Sequence, residues 1–146
     1  EIFSLSKKED CKIIYPEDVA VGKNLNGFAN LKGVSEVFED ELILDIGPKT
    51  IQTINDLIDK SETILWNGPA GYFENQNFAK GSIEIAKKIV KKCKTNAIFS
   101  VAGGGDTVAL LNSLGVTDNF NFVSTAGGAF LEYLEGKELP GIRALS

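Results

Sequence analysis

The 146-residue sequence contains no histidine and no methionine. Without an imidazole, these residues cannot perform Ser-His-Asp hydrolysis or HExxH metalloprotease chemistry, and they cannot build a histidine-ligated zinc site. Without a methionine, residue 1 is not a translation start. We therefore expect a processed chain or a piece of a longer protein.

Cysteine is also scarce. Cys11 and Cys93 lie far apart and fit no CxxC pattern, whereas a disulfide-stapled secreted scaffold carries more cysteines. No apolar run approaches the length of a membrane span, and no signal peptide is visible. We expect two reduced, half-buried thiols in a cytoplasmic protein that does not contact a membrane.

Positive charge is in deficit. Fifteen Lys and Arg oppose 20 Asp and Glu, which gives a net charge of −5, whereas nucleic-acid binders usually show a basic excess or stripe. The one basic cluster, KKIVKKCK (87–94), ends a predicted helix, where cations favour the helix dipole. We interpret the cluster as a solvated helix face and expect no nucleic-acid partner.

Short apolar runs alternate with helical periodicity along the chain. The predicted strands are 11–16, 18–22, 41–48, 63–69, 96–102 and 121–125, with a loop or hairpin at 23–33. The predicted helices are 1–9 (the tail of one), 48–60, 78–93, a short segment after 107, and 129–137. Because most strands are apolar throughout, we predict a three-layer α/β fold, with helices covering both faces of a parallel sheet.

Small residues follow three of these strands, in NGPAGYFE (67–74), GGGDT (103–107) and TAGGA (125–129). Glycines let the free amides of a helix N-terminus approach phosphate oxygens, and the carboxyl ends of parallel strands form one crevice. Asp106 is then a candidate ligand for nucleotide-bound Mg²⁺, and Thr107 a cap or phosphate donor. In the alternative interpretation the glycines only permit tight turns and Asp106 is an N-cap.

Other phosphate-binding motifs fail, because neither GxxxxGK[ST] nor GxGxxG occurs in the chain. Trp66 lies in an apolar run and is interpreted as a core residue, with ligand stacking as the alternative. Glu74, at a strand exit, is either solvated or an acceptor for ribose hydroxyls.

Several segments together resemble the C-terminal half of the phosphoglycerate kinase family. They are LWNGPAGYFE (65–74), AGGGDT (102–107) and STAGGAFLEYLEGKELPGIRAL (124–145), with DIGPKT (45–50) and CKIIYPEDVAVGKNL (11–25) in support. The resemblance implies a Rossmann-like nucleotide lobe of a cytoplasmic, monomeric glycolytic enzyme. That enzyme transfers the acyl phosphate of 1,3-bisphosphoglycerate to ADP, reversibly and with Mg²⁺, giving 3-phosphoglycerate and ATP.

The resemblance also implies roles for individual residues. The nucleotide phosphates would lie against Gly104, Gly105, Asp106 and Thr107, with Asp106 on Mg²⁺. Glu74 would hold the ribose, the nucleotide cleft would be lined by Asn67, Gly68, Pro69 and Ala70, and the adenine pocket would be walled by Ile43 and Leu44. The transferring phosphoryl group would lie near Gly127 and Gly128. Gly105, Gly127 and Gly128 would therefore be the catalytic positions.

The sequence departs from the family pattern in two ways. Ala126 and Phe130 replace a glycine and a serine of the usual S-T-G-G-G-A-S, and the G-G-A-K-V-x-x-K segment and the whole phosphoglycerate-binding lobe have no match. We therefore expect residues 1–146 to be most of one nucleotide lobe, incomplete and inactive alone. The alternatives are a non-catalytic binding or assembly module, and a Rossmann-like or receiver-like domain whose glycines are only turns.

Overall fold

A computed structural model of the chain describes residues 1–145. The strands are β1 (Asp18–Gly22), β2 (Asn30–Gly33), β3 (Leu42–Ile46), β4 (Thr63–Asn67), β5 (Phe99–Gly103) and β6 (Phe122–Val123). The helices are α1 (Ile2–Lys8), α2 (Pro48–Lys60), α3 (Lys80–Cys93), α4 (Gly105–Ser113), α5 (Gly128–Leu134) and α6 (Pro140–Arg143), and short 3-10 turns lie at Val34–Glu36, Gln76–Phe78 and Thr117–Asn119.

Strands β4, β5 and β6 form a parallel sheet in that spatial order. Trp66 of β4 and Ala102 of β5 point to the same face and are buried against α3 and α4. The Trp66 ring lies 6.3 Å from that of Phe120, so the tryptophan is a core residue, as its apolar context indicates. The predicted α/β class, a parallel sheet with flanking helices, is confirmed.

The opposite face of the parallel sheet is largely exposed. Leu65, Val101 and Phe122 are cross-strand neighbours on that face, and Leu65 and Phe122 remain 45% and 54% exposed. Phe99 extends the same apolar surface. Within residues 1–145, α2, α3 and α4 pack on the first face, whereas on the opposite face the Phe130 ring of α5 touches the sheet at Gly103 and Leu65, Phe99 and Phe122 stay exposed. The second helical layer of a three-layer fold is therefore incomplete in this part of the chain.

The three other strands form a separate antiparallel sheet, in the order β2-β1-β3. All five residues of β1 are buried because the strand lies between two neighbours and under α2. The expectation of parallel strands is therefore wrong for β1 and β3. An apolar run indicates that a strand is buried, and a central antiparallel strand is as buried as a parallel one. The run therefore does not tell in which direction the strand pairs with its neighbours.

The predicted strand at 11–16 is not formed. Ile13 and Ile14 are half-buried, but Pro16 lacks an amide hydrogen, and the segment pairs with no strand among the described residues. Cys11 and Cys93 are both free, as expected, although Cys11 is exposed and only Cys93 is half-buried. No helix in residues 1–145 combines the length and hydrophobicity needed to cross a bilayer.

Helices α2 and α3 pack against each other, and the buried residues of each recur at helical spacing. Ile51 and Ile58 of α2 are buried, as are Ile85, Ala86, Ile89 and Val90 of α3. The basic cluster at 87–94 is more than a solvated face. Lys92 Nζ donates to the carbonyls of Ile58, Asp59 and Ser61 at 2.8, 2.7 and 3.1 Å, and so closes the C-terminus of α2.

Candidate functional site

The carboxyl ends of β4 and β5 lie side by side, because Asn67 and Gly103 are paired in the parallel register. Two hydrogen bonds fix the first residue beyond β4. The Gly68 amide donates to Thr107 Oγ1 at 2.7 Å, and Trp66 Nε1 donates to the Gly68 carbonyl at 2.7 Å. The buried Thr107 hydroxyl therefore holds the β4 exit against α4 and does not cap its own helix.

Helix α4 begins with open amides. Gly104 has φ +88°, a conformation that favours glycine, and a Cβ there would lie 2.8 Å from Asn67 Oδ1. No side chain caps the helix, and a Cβ at Gly105 would meet no atom within 4 Å. The free N–H groups and the positive end of the dipole thus face open space, as an anion site requires.

Two exposed polar side chains flank this helix end. Asn67 lies beside Gly104, and Asp106 lies in the first turn of α4. The Asp106 carboxylate makes no side-chain hydrogen bond or ion pair with the other residues of the 1–145 range. A single free carboxylate beside a phosphate position suits Mg²⁺, which takes few protein ligands and keeps phosphate oxygens and waters.

The loop from Gly68 to Glu74 crosses from β4 to the edge of β3. Its backbone is held twice, by the Ala70 amide donating to Ser82 Oγ at 2.9 Å and by the Tyr72 amide donating to the Leu44 carbonyl at 2.7 Å. Pro69 and Ala70 are half-buried, while Glu74 is exposed. Glu74 lines an open concavity of about 460 Å³ with Asn26, Tyr72, Asn75, Gln76 and Asn77.

Ile43 and Leu44, the predicted adenine wall, lie at an irregularity of β3: Val21 pairs with Ile43 and Ala20 with Asp45, so the register skips Leu44. The Ile43 side chain is 56% exposed, whereas Leu44 is buried in a cluster with Ala20 and Phe78. Leu44 meets the Glu74 loop through its carbonyl, so of the two only Ile43 presents its side chain outward.

Gly127 and Gly128 open α5 after β6. Gly127 has φ +56°, and both glycines are exposed, with no atom within 4 Å of a Cβ built on either. The departure at Phe130 has a visible consequence: a Cβ on Gly103 would lie 2.7 Å from Phe130 Cδ1, so the ring covers the end of β5. At the other departure, the Ala126 amide donates to Ser124 Oγ at 3.3 Å.

Two buried aspartates that the sequence analysis missed close the helices α2 and α3. Asp18 of β1 accepts from the Lys49 and Thr50 amides at 2.9 and 2.8 Å, and Asp45 of β3 accepts from the Gly81 amide at 2.8 Å. The signal was present, because a carboxylate inside an apolar strand needs buried partners.

The pKa values of these two carboxylates move in opposite directions. Burial alone would raise the pKa of Asp18, but hydrogen bonds from Lys49 and Thr50 bring it below the ordinary value. At Asp45 burial prevails over the hydrogen bonds from Gly81 and Ile46, and the pKa is raised. Both side chains are committed to the fold, which leaves Asp106 and Glu74 as the outward-facing carboxylates of this region.

Parallel strands that end in glycine-rich turns and lead into open helix N-termini define the Rossmann-like class of α/β proteins, whose ligand sites lie at those strand ends. A sequence model of the phosphoglycerate kinase family matches residues 1–137, and the chain belongs to this family. It is 49% identical over 146 residues to the phosphoglycerate kinase of Zymomonas mobilis and 46% identical over 147 residues to that of Xanthobacter autotrophicus.

These alignments cover 99% of the chain but 37% of each relative, so the chain spans just over a third of their length. Two solved structures agree. The phosphoglycerate kinase of Coxiella burnetii superposes with a TM-score of 0.88 at 38% identity, over 97% of this chain and 36% of that one. The enzyme of Pyrococcus horikoshii gives a TM-score of 0.80 at 32% identity, over 97% and 34%.

Proposed function

We propose that residues 1–146 are most of the nucleotide-binding lobe of a phosphoglycerate kinase and supply its Mg-ADP and Mg-ATP side. The observation that carries the proposal is the open N-terminus of α4, with Asn67 and the free Asp106 carboxylate beside it. The largely exposed second face of the parallel sheet supports an incomplete lobe, since a Rossmann-like sheet carries helices on both faces.

The proposed reaction moves the acyl phosphate of 1,3-bisphosphoglycerate to ADP, giving 3-phosphoglycerate and ATP, in a cytoplasmic, monomeric enzyme. The amides of Gly104 and Gly105 bind the nucleotide phosphates through the α4 dipole. Mg²⁺, held by Asp106 and the phosphates, neutralises their charge when bound. Gly127 and Gly128 offer amides to the transferring phosphoryl group, a role that needs positioning and charge stabilisation and no covalent protein group.

The nucleoside lies along the loop from β4 to β3. Asn67, Gly68, Pro69 and Ala70 line the cleft, with the hydroxyl of Thr107 holding Gly68 in place. Glu74 accepts from the ribose hydroxyls, and Ile43 packs on the adenine while Leu44 supports the loop through its carbonyl. The phosphoglycerate is bound by a second lobe outside this chain.

Calorimetric titration with Mg-ADP tests the site. Asp106→Ala removes the metal contact and Gly105→Val fills the space in front of the amides, and each is expected to weaken binding about tenfold, the worth of one charge-assisted contact. Asp118→Ala is the matched control, because Asp118 is another exposed aspartate in the first turn of a short helix. Unchanged affinity in both site variants would refute the assignment.

A coupled assay tests the division of labour between lobes. The chain alone is expected to form no ATP from 1,3-bisphosphoglycerate and ADP, because the phosphoglycerate site and its cationic groups lie outside it. ATP formation above the blank by the purified chain would show that this division is wrong.

A further inference from the structure

Asp45 joins three parts of the fold around one buried carboxylate. The side chain leaves β3 toward the interior, and the residue is 2% exposed. Its Oδ2 accepts from the Gly81 amide in the first turn of α3 at 2.8 Å, and its Oδ1 accepts from the Ile46 amide at 2.8 Å. Helix α3 has no cap from its own Ala79, so Asp45 performs that task from the neighbouring strand.

The same carboxylate is the surface on which the Glu74 loop lies. A Cβ added to Gly71 would fall 2.6 Å from Asp45 Oδ1 and 2.5 Å from the Leu44 carbonyl, so only a glycine fits between the loop and β3. The Tyr72 amide donates to that Leu44 carbonyl at 2.7 Å. Glu74 follows three residues after Gly71, so the position of Glu74 relative to β3 depends on the contact between Gly71 and Asp45.

The first turn of α3 holds the loop from its other side. Ser82, which is fully buried, accepts from the Ala70 amide at 2.9 Å, one residue before Gly71. Asp45 anchors the amide of Gly81, the residue before Ser82. The carboxylate therefore sets two supports of the loop, Gly71 directly and Ala70 through the α3 turn.

We propose that Asp45 is a positioning residue for the nucleoside end of the site, fixing the loop so that Glu74 meets the ribose. This inference rests on the proposed role of Glu74 as the ribose acceptor. Burying a carboxylate costs free energy that an apolar residue of similar size would avoid, and burial accordingly raises the pKa of Asp45. The carboxylate of Asp45 lies where β3 and the first turn of α3 must keep a fixed separation to hold the Glu74 loop.

The test compares Mg-ADP with Mg-pyrophosphate, which has no ribose, by calorimetry on the whole chain below the unfolding temperature of every variant. Asp45→Asn is expected to weaken Mg-ADP binding about tenfold and to leave Mg-pyrophosphate within about twofold. Asp18→Asn is the matched control, because Asp18 caps α2 in the same manner but touches no part of the loop. It should lower thermal stability and leave both affinities unchanged.

Gly71→Ala carries the test if Asp45→Asn does not fold. The added Cβ displaces the loop while the bond from Gly81 to Asp45 is kept, so the same selective loss of Mg-ADP affinity is expected. Combining Asp45→Asn with Glu74→Gln should give less than the product of the single effects, since both act on one contact.

Three results would each overturn the positioning role of Asp45. Asp45→Asn could weaken the binding of Mg-ADP and Mg-pyrophosphate equally, or its effect on Mg-ADP affinity could be independent of Glu74→Gln in the double variant. The third is that Asp18→Asn changes the two affinities as Asp45→Asn does. If Glu74→Gln leaves the preference for Mg-ADP over Mg-pyrophosphate unchanged, the ribose assignment fails and the inference fails with it. If Glu74→Gln removes that preference while Asp45→Asn and Gly71→Ala retain it, the proposed function stands and only the role of Asp45 is refuted.

Discussion

The N-termini of helices α2 and α4 satisfy their free amides in opposite ways. At α2 the carboxylate of Asp18, a buried residue, reaches across from β1 and accepts from two backbone amides and the Thr50 hydroxyl. At α4 no side chain takes that place, and Gly104 and Gly105 leave the amides open. The first terminus is closed by the protein itself, and the second is free for a ligand.

This contrast separates glycines that serve packing from glycines that serve binding. Gly47 precedes α2 because a Cβ there would lie 2.3 Å from Asp18 Cγ, so its smallness makes room for a protein carboxylate. Gly105 begins α4 with no atom within 4 Å of a Cβ, so its smallness makes room for something outside the chain. The role of a glycine at a strand exit, in packing or in binding, therefore cannot be assigned until its neighbours in the fold are known.

The strongest way to break the comparison is to remove the acidic side chain at each helix start. Asp18→Ala leaves buried amides without partners and should lower the free energy of unfolding by about 3 kcal/mol, whereas Asp106→Ala should change it by no more than about 0.5 kcal/mol. Urea denaturation of the two variants measures both values. Equal destabilisation would mean that Asp106 also caps its helix.

A methyl group added at each glycine gives a smaller contrast. Gly47→Ala forces the Asp18 carboxylate away from α2 and should cost about 2 kcal/mol, while Gly105→Ala adds a methyl in open space and should leave stability within about 0.5 kcal/mol. Denaturation curves for both variants are again the measurement. A loss at Gly105 that matches the loss at Gly47 would show that the α4 terminus is closed too.

The pH dependence of stability sharpens the comparison further, with the smallest expected effect. The folded-state pKa of Asp18 is depressed, so its stabilisation is present above the ordinary aspartate pKa and is lost as pH falls through the folded value. The advantage of the wild type over Asp18→Asn in free energy of unfolding should therefore stay constant from about pH 7 to about pH 5 and shrink as the pH falls below about 4.

Asp45 should behave in the opposite way. Its folded-state pKa is raised, so the folded chain binds a proton more readily than the unfolded chain, and acidification favours folding. Relative to Asp45→Asn, the wild type should gain stability as the pH falls from about 7 to about 4. Parallel pH profiles for the two asparagine variants would contradict the assigned burial and hydrogen bonding.

The strands and helices of the parallel sheet follow from local pattern. The apolar runs of β4 and β5 end where polar and glycine residues begin, and the spacing of Ile85, Ala86, Ile89 and Val90 marks the buried face of α3. The direction of β1 and β3 does not follow, because an apolar run is the same in either orientation. The Cys11–Pro16 run shows that hydrophobicity without a pairing partner makes no strand.

The open site at the strand ends could be foreseen in outline, because Asn67, Gly104 and Asp106 each stand at a strand exit or helix start. The capping of α2 by Asp18 and of α3 by Asp45 could not be foreseen, since each carboxylate bonds amides that are 31 to 36 residues away in the sequence. Leu44 shows the same limit: a register shift interrupts the alternation of β3 at this residue, so only the fold decides which of Ile43 and Leu44 is buried.

The single tryptophan of the chain gives the site an optical probe of its own. Trp66 Nε1 donates to the Gly68 carbonyl at 2.7 Å, and Gly68 is in turn bonded to Thr107 beside the open helix end. Indole emission responds to the polarity and hydrogen bonding around the ring. Fluorescence of the unlabelled chain will therefore report any ligand that moves the β4 exit, with no second tryptophan to obscure the signal.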